Sequence, residues 1–161
     1  MTRGRAFALA LAAAGIFVAL DQATKQLVVH NIGRTDAINV FFGIDLVNVR
    51  NTGVAFGALA GGGVLIKALT AVALSALLAF FWLRSATPWL WLPVGVIVGG
   101  ALGNLADRAR DGAVIDFIDP ILWPAFNLAD MGIVVGILGL FYVVEGRRAD
   151  RAPRAAGRRR G

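Results

Sequence analysis

Four long apolar runs leave this chain few ways to fold. They extend from about Ala6 to Val29, Val64 to Leu83, Trp89 to Ala106 and Phe126 to Val144. Each is close to the roughly 20 residues that cross a bilayer as a helix, at about 1.5 Å of rise per residue. In lipid the backbone must satisfy its own hydrogen bonds, which restricts spanning structure to helices and closed barrels. At 58% hydrophobic and 16% charged, the 161 residues are too apolar for an ordinary soluble domain. Pro88 and Pro93 fall at the start of the third run, where a helix tolerates proline. The expected fold is a mainly α membrane protein with four transmembrane helices.

Charge orients the runs. Arg3 and Arg5 precede the first, Arg84 joins the second to the third, and Arg147, Arg148, Arg151, Arg154, Arg158, Arg159 and Arg160 follow the fourth. With four crossings these regions share one side, which the positive-inside rule makes cytoplasmic, both termini included. The first run has the basic start of a cleavable signal peptide, but its apolar stretch continues past Asp21, so it reads as a retained helix. The outer side receives residues 29–63 and 107–125, which hold Asp36, Asp45, Asp111, Asp116 and Asp119. From about His30 to Gly57, β-branched and aromatic residues alternate with Asn and Asp, punctuated by Gly43 and Gly53. That pattern predicts short strands, a small extracytoplasmic β-sheet after the first helix. There is no internal repeat, so residues 1–146 read as a single domain and 147–161 as a basic, disordered cytoplasmic tail. Such a tail suits anionic lipid headgroups rather than nucleic acid.

Polar groups inside apolar runs are expensive and therefore informative. With this topology, Asp21 and Lys25 lie toward the outer end of the first run, Asn104, Asp107 and Arg108 at the outer end of the third, and Asn127 and Asp130 in the first outer turns of the fourth. Asp116 lies in the connection between the last two, and Asn51 in the first outer loop. All of them gather at one level, the outer boundary of the bilayer. Asp21 and Lys25, four apart, share a helix face and suit a structural ion pair. Asp107 and Arg108 fit an interfacial anchor as well as they fit a site. Asp111 and Asp119 read as solvated loop acids. Asp130, a turn inside an apolar helix, has no comparable bland explanation.

Elimination narrows the chemistry. The chain has no cysteine, so disulfides, thiolate nucleophiles and cysteine metal sites are excluded. Ser75 and Ser85 lie away from the outer polar level, and His30 is the only histidine, which argues against a serine–histidine hydrolase and a zinc protease. No phosphate-binding glycine loop is present, and no cofactor or metal is implied. Paired carboxylates remain. Two aspartates held close share a proton, and such a pair both activates water and polarises an amide carbonyl. Asp116 and Asp130 are the natural pair, although sequence alone does not bring them together.

At these residues the chain resembles the lipoprotein signal peptidase (signal peptidase II) family along nearly its whole length. The matching stretches are D-Q-A-T-K at 21–25, N-T-G-V-A-F at 51–56, G-N-L-A-D-R at 103–108, V-I-D-F at 114–117 and F-N-L-A-D at 126–130. The resemblance implies an aspartic endopeptidase of the bacterial cytoplasmic membrane, acting at its outer face and inhibited by globomycin. Its substrates would be diacylglyceryl-modified prolipoproteins, cut just before the lipidated cysteine. It implies that Asp116 and Asp130 are catalytic, that Asn51, Asn104, Arg108 and Asn127 hold substrate, and that Asp21, Lys25, Gly53, Asp107 and Ala129 give structural support. It further implies a monomer working in membrane lipid, without a cofactor. Met131, where many members carry a small polar residue, departs from the pattern beside Asp130.

Two other classes compete. A four-span transporter would place polar groups at several depths, and a membrane scaffold would not require Asp130. The G-x-G-D signature of the presenilin type is missing, and Asn51 stands where a pepsin-like D-T-G would need an acid.

Overall fold

The computed structural model describes residues 1–53 and 62–151. In chain order it contains α1 (Arg3–Asn31), β1 (Ala37–Phe41), β2 (Ile44–Asn51), α2 (Gly62–Arg84), α3 (Trp91–Arg110), β3 (Val114–Pro120) and α4 (Leu128–Arg151). The four helices follow the four apolar runs. Three of them are long and apolar enough to cross a membrane: α1, α2 over Val64–Arg84, and α4 over Leu128–Gly146. The third run falls short of that standard for a physical reason. α3 is rich in glycine and carries Asn104, Asp107, Arg108 and Arg110 in its last turns. Pro93, Val94, Gly95, Ile97, Gly99, Gly100, Ala101 and Gly103 are buried along it, so its composition answers to neighbouring helices as well as to lipid.

Small residues let the backbones approach. A Cβ at Gly95 would stand 2.6 Å from the Ala10 carbonyl oxygen, and one at Gly99 would stand 2.8 Å from that of Ala14. Gly103, one further turn up α3, meets the Asp21 side chain. The contacts advance together, so α1 and α3 run parallel. On the other side Gly100 meets Ala129 near the start of α4, and Gly136, two turns along α4, meets Pro93 near the start of α3. Those two helices are therefore antiparallel. Phe7 near the start of α1 lies 4.7 Å from Phe81 and 5.6 Å from Trp82 near the end of α2, between ring centres. These rings continue into a core of Ala6, Ala10, Leu90 and Val94. The helices thus alternate in direction. The end with this aromatic core also holds Arg3, whose guanidinium stacks 4.8 Å above Trp82.

The opposite end carries a three-stranded antiparallel sheet ordered β1-β2-β3. The expected strands fall at 37–41 and 44–51, because α1 continues to Asn31 before the chain turns. The remainder of that segment, residues 54–61, lies outside the described residues. The third strand corrects the placement of Asp116 in a loop: the connection between α3 and α4 pairs with β2, setting Asp116 opposite Val49. Asp119 is likewise on β3, half-buried opposite Asp45, and is not a solvated loop acid. Val28, Ile32 and Phe117, with Leu46, Ile118 and Leu128, pin the sheet to the ends of α1 and α4. α4 runs to Arg151, past the boundary expected for the basic tail, and residues 152–161 lie outside the described residues.

Replacing Gly99 by Ala should lower stability by about 1–3 kcal/mol through overpacking against Ala14. Gly15→Ala, where an added Cβ meets nothing within 4 Å, should be neutral or stabilising. Thermal unfolding of both variants in one detergent checks this; equal melting temperatures would contradict the close α1–α3 crossing.

Candidate active site

The buried centre is Lys25, on α1. Its side chain is 0% exposed, and so are those of Asp21 and Asp107. The Lys25 ammonium donates to Asp21 Oδ2 at 2.8 Å and to Asn104 Oδ1 at 2.9 Å, and it forms an ion pair with Asp107 Oδ2 at 2.8 Å. A buried ammonium needs such compensation for each of its three protons. The expected Asp21–Lys25 pair is therefore extended by Asp107, which faces inward and is no interfacial anchor. Asp21 does more than balance charge. Its Oδ1 accepts the Ala129 backbone N–H at 3.0 Å, satisfying a free amide in the first turn of α4. Ala129 is itself fully buried, and its carbonyl packs on Gly100, so α1, α3 and α4 meet there.

From this centre the orientation of each amide follows. Because Asn104 Oδ1 faces Lys25, its Nδ2 is turned to donate to Asp130 Oδ1 at 2.8 Å. Asn127 and Asp130 form a reciprocal cap at the start of α4. The Asp130 N–H donates to Asn127 Oδ1 at 3.0 Å, and the Asn127 N–H donates to Asp130 Oδ2 at 3.2 Å. The Asn127 Nδ2 is thereby free to donate to Asp116 Oδ1 at 2.6 Å, with a second contact to Asn104 Oδ1 at 3.2 Å. Asn51, at the end of β2, is fixed in the same way. Gly53, at φ 81°, brings its N–H to Asn51 Oδ1 at 2.8 Å, and the Asn51 Nδ2 donates to Asp116 Oδ2 at 2.9 Å. That positive φ favours glycine at 53.

Both aspartates are thus bonded to one residue, Asn127, from a strand and from a helix start. Asp116 is buried, while Asp130 is half-buried. Burial pushes the Asp116 carboxyl above its usual range, opposed by the amides of Asn51 and Asn127 and assisted by the nearby Asp130 charge. At the exposed end of α3, Arg110 holds the Asp111 carboxyl below its usual range.

Asp130 also opens onto two cavities. One, of about 210 Å³, is lined by Asn104, Arg108, Lys67, Thr70, Ile66 and Ile133 among others. The other, of about 380 Å³, is apolar and lined by Trp123, Phe126, Met131, Val134 and Val135. Arg108 stands in the first cavity's wall and makes no hydrogen bond or ion pair to either aspartate, so it does not brace the pair. One contributor escaped sequence reasoning. Gln22 bridges Asp21, Asp107 and the Gly103 carbonyl at 3.2, 2.9 and 3.3 Å, and only its place within D-Q-A-T-K hinted at this. Lys67 was visible as a lone charge in an apolar run.

Apolar helices closing around a buried carboxylate–amide network at one end of a bundle mark a helical membrane protein with a polar cluster at that end. Comparison with known proteins sharpens that description. The sequence model of the signal peptidase (SPase) II family matches residues 13–144. A lipoprotein signal peptidase from Oleidesulfovibrio alaskensis is 44% identical over 144 residues, covering 83% of this chain and 92% of that protein. One from Halothermothrix orenii is 40% identical over 122 residues, covering 75% and 84%. A solved bacterial membrane enzyme superposes with a TM-score of 0.75 at 28% identity, covering 84% of this chain and 91% of that one. The chain belongs to the signal peptidase II family.

Two predictions follow the charges. Lys25→Met leaves the buried Asp21 without a cation and Asp107 with only the half-exposed Arg110 at 3.4 Å, and should destabilise the fold by about 3–5 kcal/mol, read by thermal unfolding in detergent. A raised Asp116 value means the folded chain binds its proton more tightly than the unfolded chain. This group's stabilising share is complete below its unfolded value and is lost as pH rises through the folded one. Asp130→Asn removes the neighbouring like charge, so Asp116 should titrate at lower pH in that variant, followed by its carboxyl carbon resonance. An unshifted midpoint would show that the two acids do not feel one another.

Proposed function

We propose that the chain is an aspartic endopeptidase that removes the signal peptide from diacylglyceryl-modified prolipoproteins, cutting just before the lipidated cysteine. Membership in the signal peptidase II family supports the substrate class. The observation that carries the mechanism is the shared tether: Asp116 and Asp130, from separate elements, both hydrogen-bond Asn127.

Their surroundings differ enough to divide the work. Asp116 is buried and Asp130 faces both cavities; in this scheme the pair shares one proton, which Asp116 donates while Asp130 accepts one from water. Water between them attacks the scissile carbonyl carbon and gives a proton to Asp130. Asp116 protonates the carbonyl oxygen. As the tetrahedral intermediate collapses, the C–N bond breaks, the departing amine takes the proton from Asp130, and a hydroxyl of the intermediate returns its proton to Asp116; the new carboxylic acid on the signal peptide ionises on release. Asn51 and Arg108 lie where they can bind an extended substrate backbone, while Asn104 and Asn127 aim the acids.

Membrane placement follows from the same reading. α3 joins α1, α2 and α4 in crossing the bacterial cytoplasmic membrane: its 20 residues span about 30 Å. It lies alongside α1 and α4, which share its glycine contacts. The basic end is cytoplasmic, and the sheet and the acid pair lie at the outer face, in a monomer. A lipidated signal peptide is itself an apolar helix whose modified end rests in the outer leaflet, so its scissile bond arrives at the level of Asp116 and Asp130. The apolar cavity beside Asp130 suits an acyl chain.

Reconstituted protein should cleave a diacylglyceryl-modified prolipoprotein, and Asp116→Asn and Asp130→Asn should each lower that rate by about 10³-fold or more while remaining folded. Asn51→Ala and Arg108→Ala should lose roughly tenfold, the scale of one hydrogen bond to substrate. Full activity in either aspartate variant would sink the acid-pair mechanism.

A further inference from the structure

Lys67 is the only charge in α2 ahead of Arg84. A lone ammonium on so apolar a helix is costly unless it faces water or a ligand. It lines the 210 Å³ cavity together with Arg108, Thr70 and Asn104. Neither Lys67 nor Arg108 makes an ion pair or side-chain hydrogen bond with another described residue, and the Arg108 Nε is buried without a partner. Among the described residues, then, an exposed Lys67 and an Arg108 without a side-chain partner line one cavity with Asp130. The carboxylate of Asp130 is committed elsewhere, to Asn104 and to the Asn127 N–H. The other cavity that Asp130 lines carries no cation among its lining residues.

We propose that Lys67 and Arg108 seat the carboxylate of the departing signal peptide, and so fix the direction in which substrate crosses the site. This rests on the peptidase reading. Hydrolysis adds water across the scissile amide, converting the carbonyl carbon into a carboxylate on the signal-peptide side and releasing the amine on the lipidated cysteine. A substrate laid across Asp130 presents its lipidated side to the apolar cavity and its signal-peptide side to the cationic one. The carbonyl is already drawn toward the two cations before cleavage, and the charge that develops there is held afterwards. Lys67 is a positioning residue in this scheme, acting on the side of the bond that becomes anionic.

The test compares two synthetic signal peptides ending at the cleavage point, one with a free C-terminal carboxylate and one with an amide. Binding to the purified full chain is measured in neutral detergent micelles, alongside cleavage of a lipidated prolipoprotein by the same preparation. The acid should bind about tenfold tighter than the amide, the scale expected of a charge-assisted contact. Lys67→Gln should remove most of that preference, and Lys67→Arg should keep it, which separates loss of charge from loss of fold. Equal binding of acid and amide by a wild-type protein that cleaves would overturn the seat alone. Absence of cleavage would remove the peptidase reading itself. A preference that disappears when phosphatidylglycerol is added to the micelles would assign the two cations to lipid phosphate and overturn the product assignment.

Discussion

The ammonium of Lys25 is the constraint on which the rest of the site depends. Buried charge is tolerated only with partners, and Lys25 draws its partners from two helices: Asp21 of its own, and Asn104 and Asp107 of α3. Asp21 then reaches α4 through the Ala129 amide. One cation thus fixes where three helices meet and which way Asn104 faces. Asn104 in turn aims at Asp130, which is locked in a reciprocal cap with Asn127, and Asn127 aims at Asp116. The acids are positioned by a relay whose polarity begins at a positive charge. A neutral amide such as Asn127 allows this without lowering the proton affinity of Asp116 as strongly as a cation in direct contact would.

That arrangement asks something of the helices. For Lys25 to reach α3, the backbones of α1 and α3 must nearly touch, and Gly95, Gly99 and Gly103 supply the clearance. The same glycines add no apolar bulk to α3, and its last turns carry Asn104, Asp107, Arg108 and Arg110. A helix at the centre of a bundle meets mostly protein, and protein contact rewards small residues where lipid contact rewards large ones. The weak membrane signal of α3 and the tight site are two consequences of one packing solution.

Much of this was legible in the sequence, for reasons that can be named. Apolar runs of spanning length reported the helices, and the lone polar residues within them reported the site, because burying a charge is too costly to happen without purpose. The i to i+4 spacing gave the Asp21–Lys25 pair directly. What escaped was non-local. β3 could not be seen in V-I-D-F-I, which reads equally as a membrane-edge loop, because its strand character comes from pairing with β2. Asp107 read equally as an anchor or a site residue because its adjacency to Arg108 allowed a surface pair, whereas the helix turn sends the two in different directions. The shared tether at Asn127 required knowing that a helix starts at Leu128 and that a cap would turn the amide toward a strand from elsewhere. Lys67 was conspicuous in an apolar run, but its lining the same cavity as Arg108 is a fact of tertiary structure alone.

The central claim is that two aspartates direct a water molecule at the scissile carbonyl. A single turnover in water enriched in oxygen-18, with enzyme in excess over lipidated substrate, tests it most directly. The account predicts one heavy oxygen in the new carboxylate of the released signal peptide and none in the side chains of Asp116 or Asp130. Heavy oxygen in either aspartate, with an unlabelled signal-peptide carboxylate, would show direct attack by the protein and contradict it.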